Sequence, residues 1–207
     1  LLYIDKAISL DKDNLRYLAE KASILWYADR LNEAIAVETK CIEAQPNHYF
    51  HYYRRGWYRD LNEDVDGALE DYTECLSKNP DYAYAHLNRG RLYLQRGYKQ
   101  MAQSDFEACV KLDSIPGDNS CAHYAFFYLG KNSEAKAFMD KVLEEDPEGS
   151  YYDAACLYSL MNLKSTALDY LEKAYESGFN NFNHILRDQD LDNIRGEYRF
   201  KDRKSVV

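Results

Sequence analysis

The stretch Asn88-Arg89-Gly90-Arg91-Leu92-Tyr93-Leu94-Gln95-Arg96-Gly97-Tyr98-Lys99-Gln100-Met101-Ala102-Gln103-Ser104-Asp105-Phe106 decides the reading of the chain. Small and aromatic residues alternate in it at fixed offsets: Gly90, Tyr93, Gly97, Ala102 and Phe106. Taking Ala102 as reference, alanines recur at Ala34, Ala68, Ala135 and Ala167, at intervals of 34, 34, 33 and 32 residues. Seven residues after each stands a small residue or valine: Cys41, Cys75, Cys109, Val142, Ala174. The next position is apolar or aromatic, and prolines recur twelve residues after the alanine at Pro46, Pro80 and Pro147. Five units in register at a period near 34 mark a repeat architecture, in which each unit cannot bury its apolar face alone.

Each unit holds two segments of helical period. Val65, Ala68, Leu69, Tyr72, Cys75 and Leu76 fall on one stripe at i, i+3, i+4, i+7. Pro46 and Pro80 fall just past the second segment, where proline ends a helix without removing an interior hydrogen bond. Gly56 and Ala68 are small enough to let paired helices approach closely.

These residues resemble the tetratricopeptide repeat, with its small residue, aromatic, A-x3-F and closing proline. The resemblance covers residues 1 to about 178. It departs at His86 and Asn119, where a large aromatic is expected, at Arg59, and at His123 in a small position. It implies an all-α fold, a right-handed superhelical solenoid of antiparallel helix pairs. The units read as a truncated half repeat at 1–14, then 15–48, 49–82, 83–115, 116–147 and 148–178. From Phe179 the register breaks, and 179–207 reads as a capping tail of the kind seen in bacterial members, with Phe182, Ile185, Leu186 and Leu191 covering the last pair.

The 207 residues carry 26 Lys+Arg against 35 Asp+Glu, a net charge of −9. With 46% hydrophobic and 29% charged residues the chain has a globular composition, and no apolar run approaches the roughly 18 residues of a membrane helix. No nucleic-acid partner is expected: Tyr52-Tyr53-Arg54-Arg55-Gly56-Trp57-Tyr58-Arg59 mixes bases and rings, but three arginines make a weak funnel in an acidic chain. The 34-residue cysteine spacing is the repeat itself, so buried thiols are expected rather than disulfides or metal ligands. No further ligand is spaced to join His48 and His51, and His123 is expected as a partly buried ring with its hydrogen bonds met. Asn62-Glu63-Asp64-Val65-Asp66-Gly67 begins like a calcium loop but ends on Thr73 instead of the required glutamate. No catalytic residue, cofactor or metal is expected. The odd count of five cysteines favours reduced thiols and a cytoplasmic setting. The opening Leu1-Leu2-Tyr3 has no initiator Met, which leaves upstream segments open.

Function therefore points to a protein or peptide partner held by the first helices of the pairs, as the resemblance also implies. The groove positions collect Trp26, Tyr53, Arg54, Trp57, Asn88, Arg91, Tyr124 and Phe127, with Tyr84 entering from one turn earlier. Trp, Tyr and Arg are the types enriched at binding hot spots. The centre is expected at Trp57, Tyr53, Tyr84 and Arg91; the alternative is that these rings pack on one another as core. Two other readings stand beside a scaffold. One is a regulatory or targeting arm of a larger enzyme, and the other is self-association, a homodimer through the truncated N-terminal edge at Leu1, Ile4 and Ile8. The family's clamp for a chaperone tail needs Lys and Asn where this chain has Tyr53 and Trp57, and Lys and Arg where it has Gly117 and Cys121. Capture of that carboxylate is not expected. Finally, Arg55 and Arg89 each have an acid sixteen residues later, Asp71 and Asp105, while the other units lack both partners. Salt bridges Arg55–Asp71 and Arg89–Asp105 are expected to join the two helices of their pairs.

Overall fold

The recurrent alanines lie at helix–helix contacts: Ala34, Ala68, Ala135 and Ala167 are fully buried, and Ala102 nearly so. The computed structural model describes residues 1–11, 14–117 and 120–204, with side chains through residue 201. Among these residues the chain forms helices and turns without a strand. A lone α1 (Leu2–Leu10) precedes five pairs. They are α2 (Leu15–Tyr27) with α3 (Leu31–Ala44), α4 (Tyr49–Leu61) with α5 (Val65–Lys78), α6 (Ala83–Gln95) with α7 (Lys99–Leu112), α8 (Ala122–Tyr128) with α9 (Asn132–Glu145), and α10 (Pro147–Leu160) with α11 (Lys164–Glu176). The tail adds α12 (Phe182–Arg187), a 3-10 turn at Gln189–Leu191 and α13 (Tyr198–Lys204). Asn119 lies outside the described residues. No helix among those described is long and apolar enough to cross a membrane.

Local chemistry explains the boundaries. Asn14, Asp64, Asp146 and Asn181 accept backbone N–H groups at the starts of α2, α5, α10 and α12, each such cap contributing about 1 kcal/mol. Pro147 sits in the first turn of α10, where its missing N–H costs nothing. The turn inside every pair holds one left-handed residue: Asp29, Glu63, Gly97, Gly130 and Asn162. These follow the same intervals as the alanines. Only one backbone conformation folds the second helix back on the first, and glycine is used at two of the five places.

The chain divides into two compact units, Leu1–Asp105 and Phe106–Val207. In the first unit Gly56 lies against α5: a Cβ there would stand 3.0 Å from the Tyr72 ring and 3.1 Å from Asp71 Cβ. Ala22, Leu25, Leu31, Ala34, Val37 and Tyr58 form one buried cluster, supported by Trp26 and Trp57. At the start of the unit, Leu2, Tyr3 and Leu10 of α1 are exposed, while Ile4 and Ile8 are half-buried. In the second unit one continuous core joins α8 to α11 with the tail, through Ile185, Leu191, Ile194 and Phe200. Cys41, Cys75, Cys109, Cys121 and Cys156 are all buried free thiols.

Candidate functional site

Contacts between residues 31 to 35 apart align the first helices of the first unit side by side. Between α2 and α4, the Trp26 and Trp57 ring centroids lie 4.7 Å apart. Between α4 and α6, Tyr53 meets Tyr84 at 6.4 Å, Asn88 Nδ2 donates to the Tyr53 hydroxyl at 3.5 Å, and Arg91 pairs with Asp60 at 2.7 Å. Tyr82, at the start of α6, completes the surface; its ring lies edge-on to Tyr53 at 4.8 Å and to Phe50 at 6.2 Å. Tyr53 thus meets both Tyr84 and Asn88, while Arg91 is paired with Asp60. Trp26 and Trp57 sit one step away, packed on the apolar cluster beneath them.

Arg54 has a different task from the others. Its Nε lies 2.9 Å from Oε1 of Glu38, which is fully buried, and its Nη2 reaches the Ala19 carbonyl, the Ser23 hydroxyl and the Tyr58 hydroxyl within 3.0 Å. His51 Nδ1 lies 2.9 Å from the other Glu38 oxygen. Glu38 stands four residues after Ala34, the position that holds Tyr72, Phe106, Met139 and Leu171 in the other units. Arg54 therefore ties the α2–α3 pair to α4.

Glu38, Cys41 and His51 also bring donor atoms within 4.8 Å of one another, so His51 does have potential ligands nearby, supplied by the preceding helix. Burial, and then the Glu38 charge, push the Cys41 thiol up to about 11. With Arg54 and His51 already on the carboxylate and the thiol held protonated, the group suits an internal ion pair better than a cation.

The arginine–aspartate pairs span the two helices of their units. Arg55 Nη2 lies 2.7 Å from Asp71, and Arg59 Nη1 reaches the same carboxylate at 2.9 Å. Arg89 Nη2 lies 2.8 Å from Asp105, which also meets His86 Nδ1 at 2.8 Å. Burial works against the Asp105 charge, but hydrogen bonds from Arg89 and His86 outweigh it and hold the carboxyl below its usual range.

The second unit offers a different set. The Tyr124 hydroxyl donates to the Asp153 carbonyl at 3.2 Å and lies 3.4 Å from its carboxylate; Phe127 packs on the Tyr128 ring at 5.2 Å. Tyr152 donates to Asp188 of the tail at 2.7 Å, and Cys156 and His184 lie 3.7 and 3.5 Å from the same oxygen. Burial raises the Asp153 carboxyl to about 6. His123, expected to be partly buried with its bonds met, is instead fully buried, and neither ring nitrogen has a hydrogen bond. Burial takes it down to about 3, so the ring is neutral. The tight helix contact at this small position shuts out both solvent and polar neighbours.

Comparison with known proteins agrees with this geometry. The tetratricopeptide repeat model matches residues 15–48 and 83–115. Human tetratricopeptide repeat protein 13 is 31% identical over 111 residues, 54% of this chain and 13% of that protein. Human DnaJ homolog subfamily C member 3 is 26% identical over 133 residues, 56% of this chain and 26% of that one. The chain thus spans about a quarter or less of these relatives' length. The solved structure of TTC0263, a thermophilic repeat protein from Thermus thermophilus, superimposes with a TM-score of 0.62 at 16% identity, covering 86% of this chain and 98% of that one. Such repeats mediate protein–protein interactions. With the 34-residue recurrence seen as packed helix pairs, the chain carries tetratricopeptide repeats, matched at 15–48 and 83–115, on a fold of stacked helix pairs.

Proposed function

We propose that the chain is a non-catalytic scaffold that holds a peptide segment of a partner protein against the first helices of its first unit. The observation that carries this reading is the group of rings at Phe50, Tyr53, Tyr82 and Tyr84, with Asn88 and the Arg91–Asp60 pair beside it. The rings are partly open to solvent, and Phe50 is 37% exposed. Aromatic faces bury apolar partner side chains at low entropic cost. The Asn88 amide, held at the long limit of a hydrogen bond, has capacity left for the backbone of an extended peptide. Trp26 and Trp57 lie one step along the first helices from this surface, and Tyr124 and Phe127 offer a comparable ring surface in the second unit.

A solved first repeat domain of Spaghetti, with a TM-score of 0.51 and 24% identity over 61% of this chain, is bound to the HSP90 peptide SRMEEVD. Here Tyr53 and Trp57 replace the basic clamp, which favours a segment with apolar or aromatic side chains over an acidic tail. The test is selection of binders from a random peptide library, followed by titration of the selected peptide against Tyr84→Ala and Asn88→Ala. Loss of tenfold or more in affinity, with an unchanged melting curve, supports the surface. Unchanged affinity in both variants moves the site elsewhere.

A further inference from the structure

We propose that Cys109 and Cys121 are a redox modification site, closing into an intrachain disulfide that ties α7 to the first turn of α8. Their sulfurs lie 3.2 Å apart, and both residues are fully buried. A disulfide needs about 2.05 Å, so closure asks for movement of about 1 Å. The approach is built by the chain around it. The Asp113 carboxylate, one turn beyond Cys109, accepts the backbone N–H groups of Cys121 and Ala122, and the Ser120 hydroxyl donates to its other oxygen at 3.2 Å. These bonds hold the start of α8 against the end of α7. Two thiols twelve residues apart in sequence are thereby aimed at each other, independently of the 34-residue spacing that places Cys41, Cys75 and Cys109.

The oxidant is a small-molecule disulfide such as oxidised glutathione. One cysteine sulfur attacks it, forming a mixed disulfide and expelling one glutathione thiolate. The second cysteine sulfur then attacks the protein sulfur of that mixed disulfide and expels the other. The two thiol protons end on the two glutathione molecules, so two cysteines are oxidised as one glutathione disulfide is reduced. The hydrogen bond to Cys109, and then burial, hold the Cys121 thiol well above its usual range. Exchange therefore runs while the contact between α7 and the start of α8 is open, during folding or local opening. Once closed, the bond is shielded from reductant.

The test is refolding of the full chain in a glutathione redox buffer, compared with refolding under reductant. Free thiols are then counted in denaturant and the digest is mapped without reduction. The expected result is a monomer lacking two thiols, a linked peptide pair containing Cys109 and Cys121, and a melting temperature several degrees above the reduced form. The Cys109→Ala variant should keep all its remaining thiols under the same treatment. Five free thiols after oxidative refolding of the parent chain would overturn the proposal, and so would a linkage between any other pair.

Discussion

The two units solve the same problem, burying polar groups between stacked helices, by opposite means. In the first unit each buried acid has an arginine on it: Glu38 has Arg54, Asp71 has Arg55 and Arg59, and Asp105 has Arg89, with the His51 and His86 rings beside the first and the last. In the second unit the buried groups meet tyrosines, thiols and one another, and His123 is neutral without a hydrogen bond. The contrast teaches that a shared helix-pair geometry sets where polar groups fall but not how they are compensated. Stability should depend on charge pairing in one half and on protonation in the other.

Removing the tail is the largest perturbation. A protein ending at residue 178 lacks Ile185, Leu191, Ile194 and Phe200, all buried in the core of the second unit. At about 1.5–3 kcal/mol for each buried apolar side chain, the loss rivals the whole stability of a domain, about 5–15 kcal/mol. Circular dichroism should show the transition of the second unit abolished. Fluorescence of Trp26 and Trp57, both in the first unit, should change little. An unchanged melting profile would show the tail to be a passive linker.

Next in size is Asp71→Ala, which strands Arg55 and leaves Arg59 with Asp64 alone; the expected loss is about 3–5 kcal/mol, read by urea denaturation followed through tryptophan fluorescence. Replacing Arg89 and Asp105 together by leucine should cost less than Asp105→Leu alone, because the Arg89 charge is not left without its carboxylate.

The third test concerns pH and the second unit. His123 titrates at about 3 when folded against 6.5 when unfolded, so between these values the unfolded chain binds more protons. Stability then falls on acidification by up to about 1.4 kcal/mol per pH unit. Asp153, raised from 3.8 to about 6, acts in the opposite sense, adding stability as pH falls from 6 toward 3.8. His123→Leu should leave a unit that gains stability between pH 6 and 4, and Asp153→Asn should steepen the acid loss. Equal pH profiles for both variants, from denaturation followed by circular dichroism, would erase the contrast between the units.

The smallest effect is expected from Arg199→Ala, which removes exposed pairs with Asp169 and Glu172; the change should be about 0–1 kcal/mol, and salt should diminish it.

Periodicity made the helix pairs legible because helical packing demands small residues where axes approach. The sixteen-residue offset of Arg55 and Asp71 was legible for the same reason: it recurs at Arg89 and Asp105 and is missing as a pair elsewhere. The position of Glu38 carried a signal too, since an acid stood where every other unit has a large apolar residue. Its partners were not legible, because His51 and Arg54 belong to the next unit and register places Arg54 among the groove positions. The approach of Cys109 to Cys121 escaped for a related reason. It depends on the bonds that Asp113 and Ser120 make beyond α7, outside the repeat's own geometry.

The Glu38 network also bears on how such a chain can be rearranged. Arg55–Asp71 and Arg89–Asp105 lie within single units and would travel with them if a unit were copied or moved. Glu38 lies in 15–48, while Arg54 and His51 lie in 49–82. Inserting a unit between them would leave an acid in an apolar seam with no counter-charge. Duplication, deletion or exchange in the laboratory should treat residues 15–82 as indivisible, and place its cuts beyond residue 82.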